Sequence, residues 1–173
     1  LTIRGTNATF DEWSSNFDIG ANDSSYYDKT GVHPDWTNYE NHKGFDVTAT
    51  RILRAFNAYV PELESLGKIV SSAKRSIFIT GHSRGAAIAN ILGTYFENAP
   101  QYDSYVYTMA APNTTTSENA HSYQTIFNIV NREDLIPYLP LYTWGFDKYG
   151  ETILTGTPSA SHTFDIAFLA FAN

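Results

Sequence analysis

The chain has no cysteine among its 173 residues, which excludes a disulfide framework, a thiolate metal site and a cysteine nucleophile at once. Basic residues are scarce: 11 Lys and Arg face 18 Asp and Glu, a formal charge of −7. The positive footprint of a nucleic-acid binder is therefore missing, and DNA and RNA are not expected partners. No apolar run approaches the roughly 20 residues of a membrane span, and no basic-then-apolar leader opens the chain. Leu1 comes first where a full gene product would carry Met, which leaves the compartment open, secretion included. Charged residues make up only 17%, against about 25% in ordinary soluble domains. Hydroxyls and amides carry the polarity instead, since Ser, Thr and Asn supply 46 positions. What the chain does have is aromatic mass, with 12 Tyr, 11 Phe and 3 Trp. Its length suits one domain that removes ~70% of its unfolded surface from water, so a single ordered globule over residues 1–173 is expected.

No repeat with a period of 20 to 50 residues interrupts that picture. Leu1–Arg4 reads as a short strand ending at Gly5. The stretch from there to about Asn41 reads as loop with short elements, because it holds seven aromatics but only Ile19 and Val32 as aliphatics. From Phe45 to Val70 apolar residues recur at three- and four-residue steps, which predicts a helix burying one face. Pro61 has no N–H to give and is expected to kink or restart it. Ile77–Thr80 has the wholly apolar character of a strand buried on both faces. In Gly85–Glu97, Ile88, Ile91, Leu92 and Tyr95 fall on one helical face. Tyr105–Met109 and Thr125–Val130 read as further strands, Trp144–Gly156 as a hairpin and Thr163–Ala170 as a closing helix. Strand alternating with helix predicts an α/β layer with a mostly parallel central sheet, whose functional groups collect at the carboxyl ends of the strands.

Gly81-His82-Ser83-Arg84-Gly85 is a G-x-S-x-G placed where a buried strand runs straight into a helix, the context of a nucleophile elbow. Such a turn forces the serine into a strained conformation and needs glycine two residues before and after it. It also aims the helix N-terminus at the place where a tetrahedral oxyanion would form. The plain alternative is a serine that caps the helix.

A serine hydroxyl needs a base to take its proton, and the base needs an acid to fix its tautomer. In α/β-hydrolases these follow in the order serine, acid, histidine. The loop after Thr125–Val130 offers Glu133 and Asp134 as acids, and of the five histidines only His162 lies beyond both. Asp134 is preferred because Leu135 and Ile136 lead it toward apolar surroundings, while Glu133 beside Arg132 reads as solvated. His82 is expected to pack under the helix, His42 to open the first helix as a hydrogen-bonding residue, and His33 and His121 to sit in loops. No histidine pair has zinc-ligand spacing such as H-E-x-x-H, so no metal is expected. No organic cofactor is expected either, because side chains supply the chemistry.

These residues resemble the class 3 lipase family, the fungal triacylglycerol-lipase-like α/β-hydrolases. Ile3-Arg4-Gly5-Thr6 is similar to the family's R-G-[ST], Asn41–Phe45 to its V-H-x-G-F, Ile79–Ala87 to its T-G-H-S-L-G-G-A, and Asn131–Pro137 to its N-x-x-D-x-V-P. The resemblance implies a three-layer α/β-hydrolase fold whose N-terminal part is absent from this sequence. It also implies Ser83 as nucleophile, Asp134 as acid, His162 as base, and an oxyanion hole from Thr6 and the backbone N–H of Arg84. It decides for Asp134 over Glu133 and adds Thr6. An ester or lipid substrate and transient contact with a lipid interface go with it. So does the reading as a serine ester hydrolase, with an inactive hydrolase-fold binding module or an acyltransferase as alternatives. Arg84 departs from the usual leucine, and the thin aliphatic content before Asn41 points to smaller or more polar esters.

Overall fold

The computed structural model describes residues 1–5, 41–70, 73–116, 120 and 123–156. Within them the chain runs through β1 (Thr2–Ile3), α1 (Lys43–Ser65), β2 (Arg75–His82), α2 (Arg84–Asn98), β3 (Tyr102–Met109), β4 (Ile126–Asn131) and β5 (Glu151–Thr155). Short 3-10 turns at Ile136–Tyr138 and Tyr142–Trp144 lie between β4 and β5. All neighbouring strands pair in parallel, in the spatial order β1-β2-β3-β4-β5.

The core is built on one side of this sheet. In β3, Tyr102, Ser104, Val106 and Thr108 point toward α2, where Ala86, Ala87 and Ala89 are fully buried. Alanines let the helix lie close to the strands. At Gly93 the approach is closest, since a Cβ there would come within 2.8 Å of the Ile126 Cδ1 atom. Helix α1 packs in turn on α2, burying Phe45, Ala49 and Leu53 while Ile52 and Phe56 pack half-buried against the same cluster. At roughly 25 cal/mol per Å² of apolar surface, side chains such as Phe96, Ile91 and Leu92, all fully buried, each contribute about 2 kcal/mol.

Several expectations change on contact with the structure. Helix α1 ends before Val70, because Leu66 and Gly67 close it: Gly67 takes a φ of +66°, its N–H donates to Glu64 O, and the Lys68 N–H donates to Leu63 O. This is the Schellman arrangement, which satisfies the last carbonyls of a helix. Pro61 does not restart α1, which runs unbroken through it. The ring sits within the last turns, on an exposed side where a missing N–H costs least. Strand β2 is buried on one face only: Ile77 and Ile79 face the helices, whereas Phe78 is 62% exposed. His82 follows the same alternation and is exposed, not packed under α2. Trp144–Gly156 is no hairpin, since β5 pairs in parallel with β4 from Phe127↔Glu151 to Asn131↔Thr155. The chain must therefore cross back between them, and Asp147 instead bridges to Thr115. The proposed closing helix and the loop before Asn41 lie outside the described residues. Among the described residues, helices cover one face of the sheet.

Candidate active site

The turn between β2 and α2 has the geometry its glycines demand. A Cβ on Gly81 would run into the Gly85 carbonyl and come within 2.7 Å of the Ala86 nitrogen. On Gly85 it would run into the Ile3 carbonyl and come within 2.6 Å of Arg4 O. The helix start can therefore press against both strand ends only because both side chains are absent. Between the glycines, Ser83 holds φ 55° and ψ −127°, a conformation that costs a residue with a Cβ about 1–3 kcal/mol. Its N–H donates to Met109 O at 3.0 Å, and its carbonyl accepts from Ala86 N and Ala87 N. Ser83 stands at the N-cap position of α2, yet its hydroxyl makes no capping hydrogen bond. The helix-capping reading is thereby corrected: Ser83 is half-buried and occupies the N-cap position without capping the helix.

Arg84 opens α2, at the position where a backbone N–H points out of the helix end. Its guanidinium turns aside and donates to Thr48 Oγ1 on α1 at 3.0 Å. Gly5, the last residue of the first described segment, lies against the same turn, with its Cβ position 3.0 Å from His82 O and 3.8 Å from Ser83 Cβ. Thr6 follows it directly in the chain and lies outside the described residues, as does His162.

Asp134 sits three residues beyond β4, at the same carboxyl edge of the sheet as Ser83. With β3 between β2 and β4, strand spacing puts the two strand ends about 10 Å apart. Asp134 is half-buried and Glu133 exposed. The surroundings are less apolar than expected, since Ile136 is 42% exposed. The carboxylate is held locally instead, accepting from the Ile136 N–H at 3.0 Å while the Asp134 N–H donates to Asn131 O.

Behind this loop lies a buried polar network that the sequence reading missed. Asn90 Nδ2 donates to Asn128 Oδ1 at 2.9 Å and to Tyr149 O at 2.8 Å. Asn128 Nδ2 donates to Tyr149 O, and the Thr108 and Thr114 hydroxyls donate to Asn128 and Asn90 respectively. Tyr149 OH reaches Asn41, which donates to the buried Asp46. From this network the Lys148 side chain extends to donate to Pro137 O. Burial lowers the Lys148 ammonium from 10.5 to about 8, against the opposing pull of Asp147. A lone lysine in the otherwise uncharged or acidic run 134–149 was the only signal that could have marked it. His42 opens α1 at the N-cap position and hydrogen-bonds through its backbone, its carbonyl accepting the first helical bonds and its N–H donating to Thr114 O, while its buried ring makes no capping bond and stacks on Phe45 at 4.0 Å.

The sequence profile described as lipase (class 3) matches residues 1–144. Among solved structures, a mutant form of MDLA from Penicillium cyclopium superposes with a TM-score of 0.57 at 18% identity, covering 70% of this chain and 44% of that one. The lipase of Rhizopus microsporus var. chinensis gives 0.55 at 19%, covering 81% and 52%. Rhizomucor miehei triacylglyceride lipase gives 0.52 at 22%, covering 66% and 44%. These likenesses show a shared α/β-hydrolase fold, and the chain spans about half the length of the structures it matches. No curated protein sequence matches it.

Proposed function

The chain belongs to the class 3 lipase family, and from that premise we propose that it is a serine hydrolase of lipid carboxylic esters. Ser83 Oγ attacks the ester carbonyl and gives its proton to His162, whose other ring nitrogen is held by Asp134. The oxyanion of the tetrahedral intermediate accepts hydrogen bonds from Thr6 and the Arg84 N–H. The alcohol leaves with the proton from His162, water then attacks the acyl-enzyme, and the carboxylic acid departs as Ser83 regains its hydrogen.

The observation that carries this reading is the strained backbone of Ser83 between two glycines that admit no side chain. A merely capping serine would need none of it. Connectivity supports the partners. Thr6 is one residue past a position that touches the elbow, and the chain leaves β5 at this edge seven residues before His162. Seven residues reach up to about 24 Å, enough to return to the Ser83–Asp134 gap.

Labelling of the chain by a fluorophosphonate tests the proposal. Label is expected on Ser83 and is expected to vanish in Ser83→Ala and to fall by orders of magnitude in His162→Ala. Thr6→Ala should lower ester turnover by about 100-fold. Labelling that survives Ser83→Ala places the reactive nucleophile elsewhere and overturns the reading, and an intact protein that neither takes label nor turns over esters of any chain length rules it out in favour of an inactive binding module.

A further inference from the structure

We propose that Lys148 is a positioning residue for the acid, a buried strut that fixes the loop carrying Asp134 relative to the core; this rests on the hydrolase reading above. Lys148 is only 5% exposed, although a lysine's long flexible stem ordinarily carries its ammonium out to water. Both of its neighbours are pinned to the core. Asp147 exchanges backbone hydrogen bonds with Thr115, at 2.6 and 2.9 Å, and the Tyr149 carbonyl accepts from Asn90 and Asn128. The base of the lysine therefore cannot move without breaking the buried network.

Its tip donates to Pro137 O, within the 3-10 turn whose first residue, Ile136, supplies the N–H that orients the Asp134 carboxylate. Displacement of Pro137 is a displacement of that N–H. A second tether, Asn113 Nδ2 to Pro140 O at 2.8 Å, holds the far end of the loop, so Lys148 is what controls the end nearest the acid. A neutral side chain that merely filled space would not give Pro137 O a donor, and a buried cation that served packing alone would be replaced at a gain by an apolar one. The charge has a use where the loop must not drift, because misplacement of a catalytic group by about 1 Å can cost ~100-fold in rate.

A double-mutant cycle with Lys148→Met and Asp134→Asn, read on a water-soluble p-nitrophenyl ester, tests the inference. Lys148→Met is expected to lower kcat by 10- to 100-fold with KM changed less than about two-fold. In the Asp134→Asn background the same change should cost less than about two-fold, because the group it positions has already been disabled. An equal loss in both backgrounds, or no loss in the single variant, overturns the inference while leaving the hydrolase reading intact. A wild-type chain that neither hydrolyses the ester nor takes a fluorophosphonate overturns both. If Lys148→Met does not fold, Lys148→Gln, which keeps a donor but not the reach, completes the same cycle with the same expected non-additivity.

Discussion

Replacing Ser83 by glycine and by alanine separates strain from chemistry. Both variants lack the hydroxyl, so their difference isolates the Cβ of residue 83. At φ 55° and ψ −127°, this residue matches the first central position of a type II′ turn, which glycine dominates. An L-residue held there costs about 1–3 kcal/mol, and glycine relieves that. Against it stands the greater entropy glycine loses on folding, about 0.5–1 kcal/mol. The balance favours glycine by about 1 kcal/mol, or roughly 2–4 °C in Tm for a chain of this size. The assay is thermal and urea unfolding of both variants side by side. In an ordinary helix or strand, alanine to glycine destabilises by a similar amount, so the sign alone decides. A Ser83→Gly protein less stable than Ser83→Ala would mean that the elbow is not strained and that the serine conformation carries no functional information.

Two further outcomes follow from the same geometry. Gly85→Ala should destabilise by at least about 3 kcal/mol, because the new Cβ meets backbone carbonyls of Ile3 and Arg4 that β1 pairing holds in place; an unchanged Tm would show that the approach of α2 to β1 is looser than described. Lys148 binds its proton less tightly when folded, at about 8, than when unfolded, at 10.5, so its burial weighs against folding below pH 8 and that weight is lifted as the pH rises toward 10.5. The stability of the wild type relative to Lys148→Met should therefore rise by ~3 kcal/mol across that window, and a difference independent of pH, read by urea unfolding, would show that the ammonium is not desolvated.

What could be read from the chain follows from the range of the interactions involved. The elbow is local: five consecutive residues, a preceding apolar strand and a following alanine-rich helix are all in one stretch, and the structure has Ser83 at the turn between β2 and α2. The parallel sheet was legible in the same way, from the alternation of short apolar runs with helical ones. The errors sit where a local pattern has two tertiary solutions. Apolar residues on either side of Asp147–Gly150 suit a hairpin as well as a crossing connection, and only the pairing of β5 with β4 decides between them. Ile77–Thr80 looked buried on both sides because it is short and apolar, yet Phe78 stacks on the exposed Tyr105 ring at 5.2 Å across the uncovered face. Whether that face is covered depends on elements far away in sequence.

The polar spine was illegible for a stronger reason. Asn41, Asn90, Thr108, Thr114, Asn128 and Tyr149 are common residue types in a chain this rich in amides and hydroxyls, and each satisfies a partner 20 to 108 residues away. Nothing at any one position announces it. Yet a buried amide is tolerated only when its partners are all present, since an unsatisfied one costs about 1–3 kcal/mol. Such a network is stiff by construction: no member shifts without stranding another. It runs from α1 through α2 and β3 to β4 and emerges at Tyr149, beside the lysine that reaches the acid loop. The same sheet end carries the strained serine at the turn that follows β2. Candidate nucleophile and candidate acid are thus set on one rigid frame by unlike means, the first by glycines that local sequence reveals, the second by long-range hydrogen bonds that it hides.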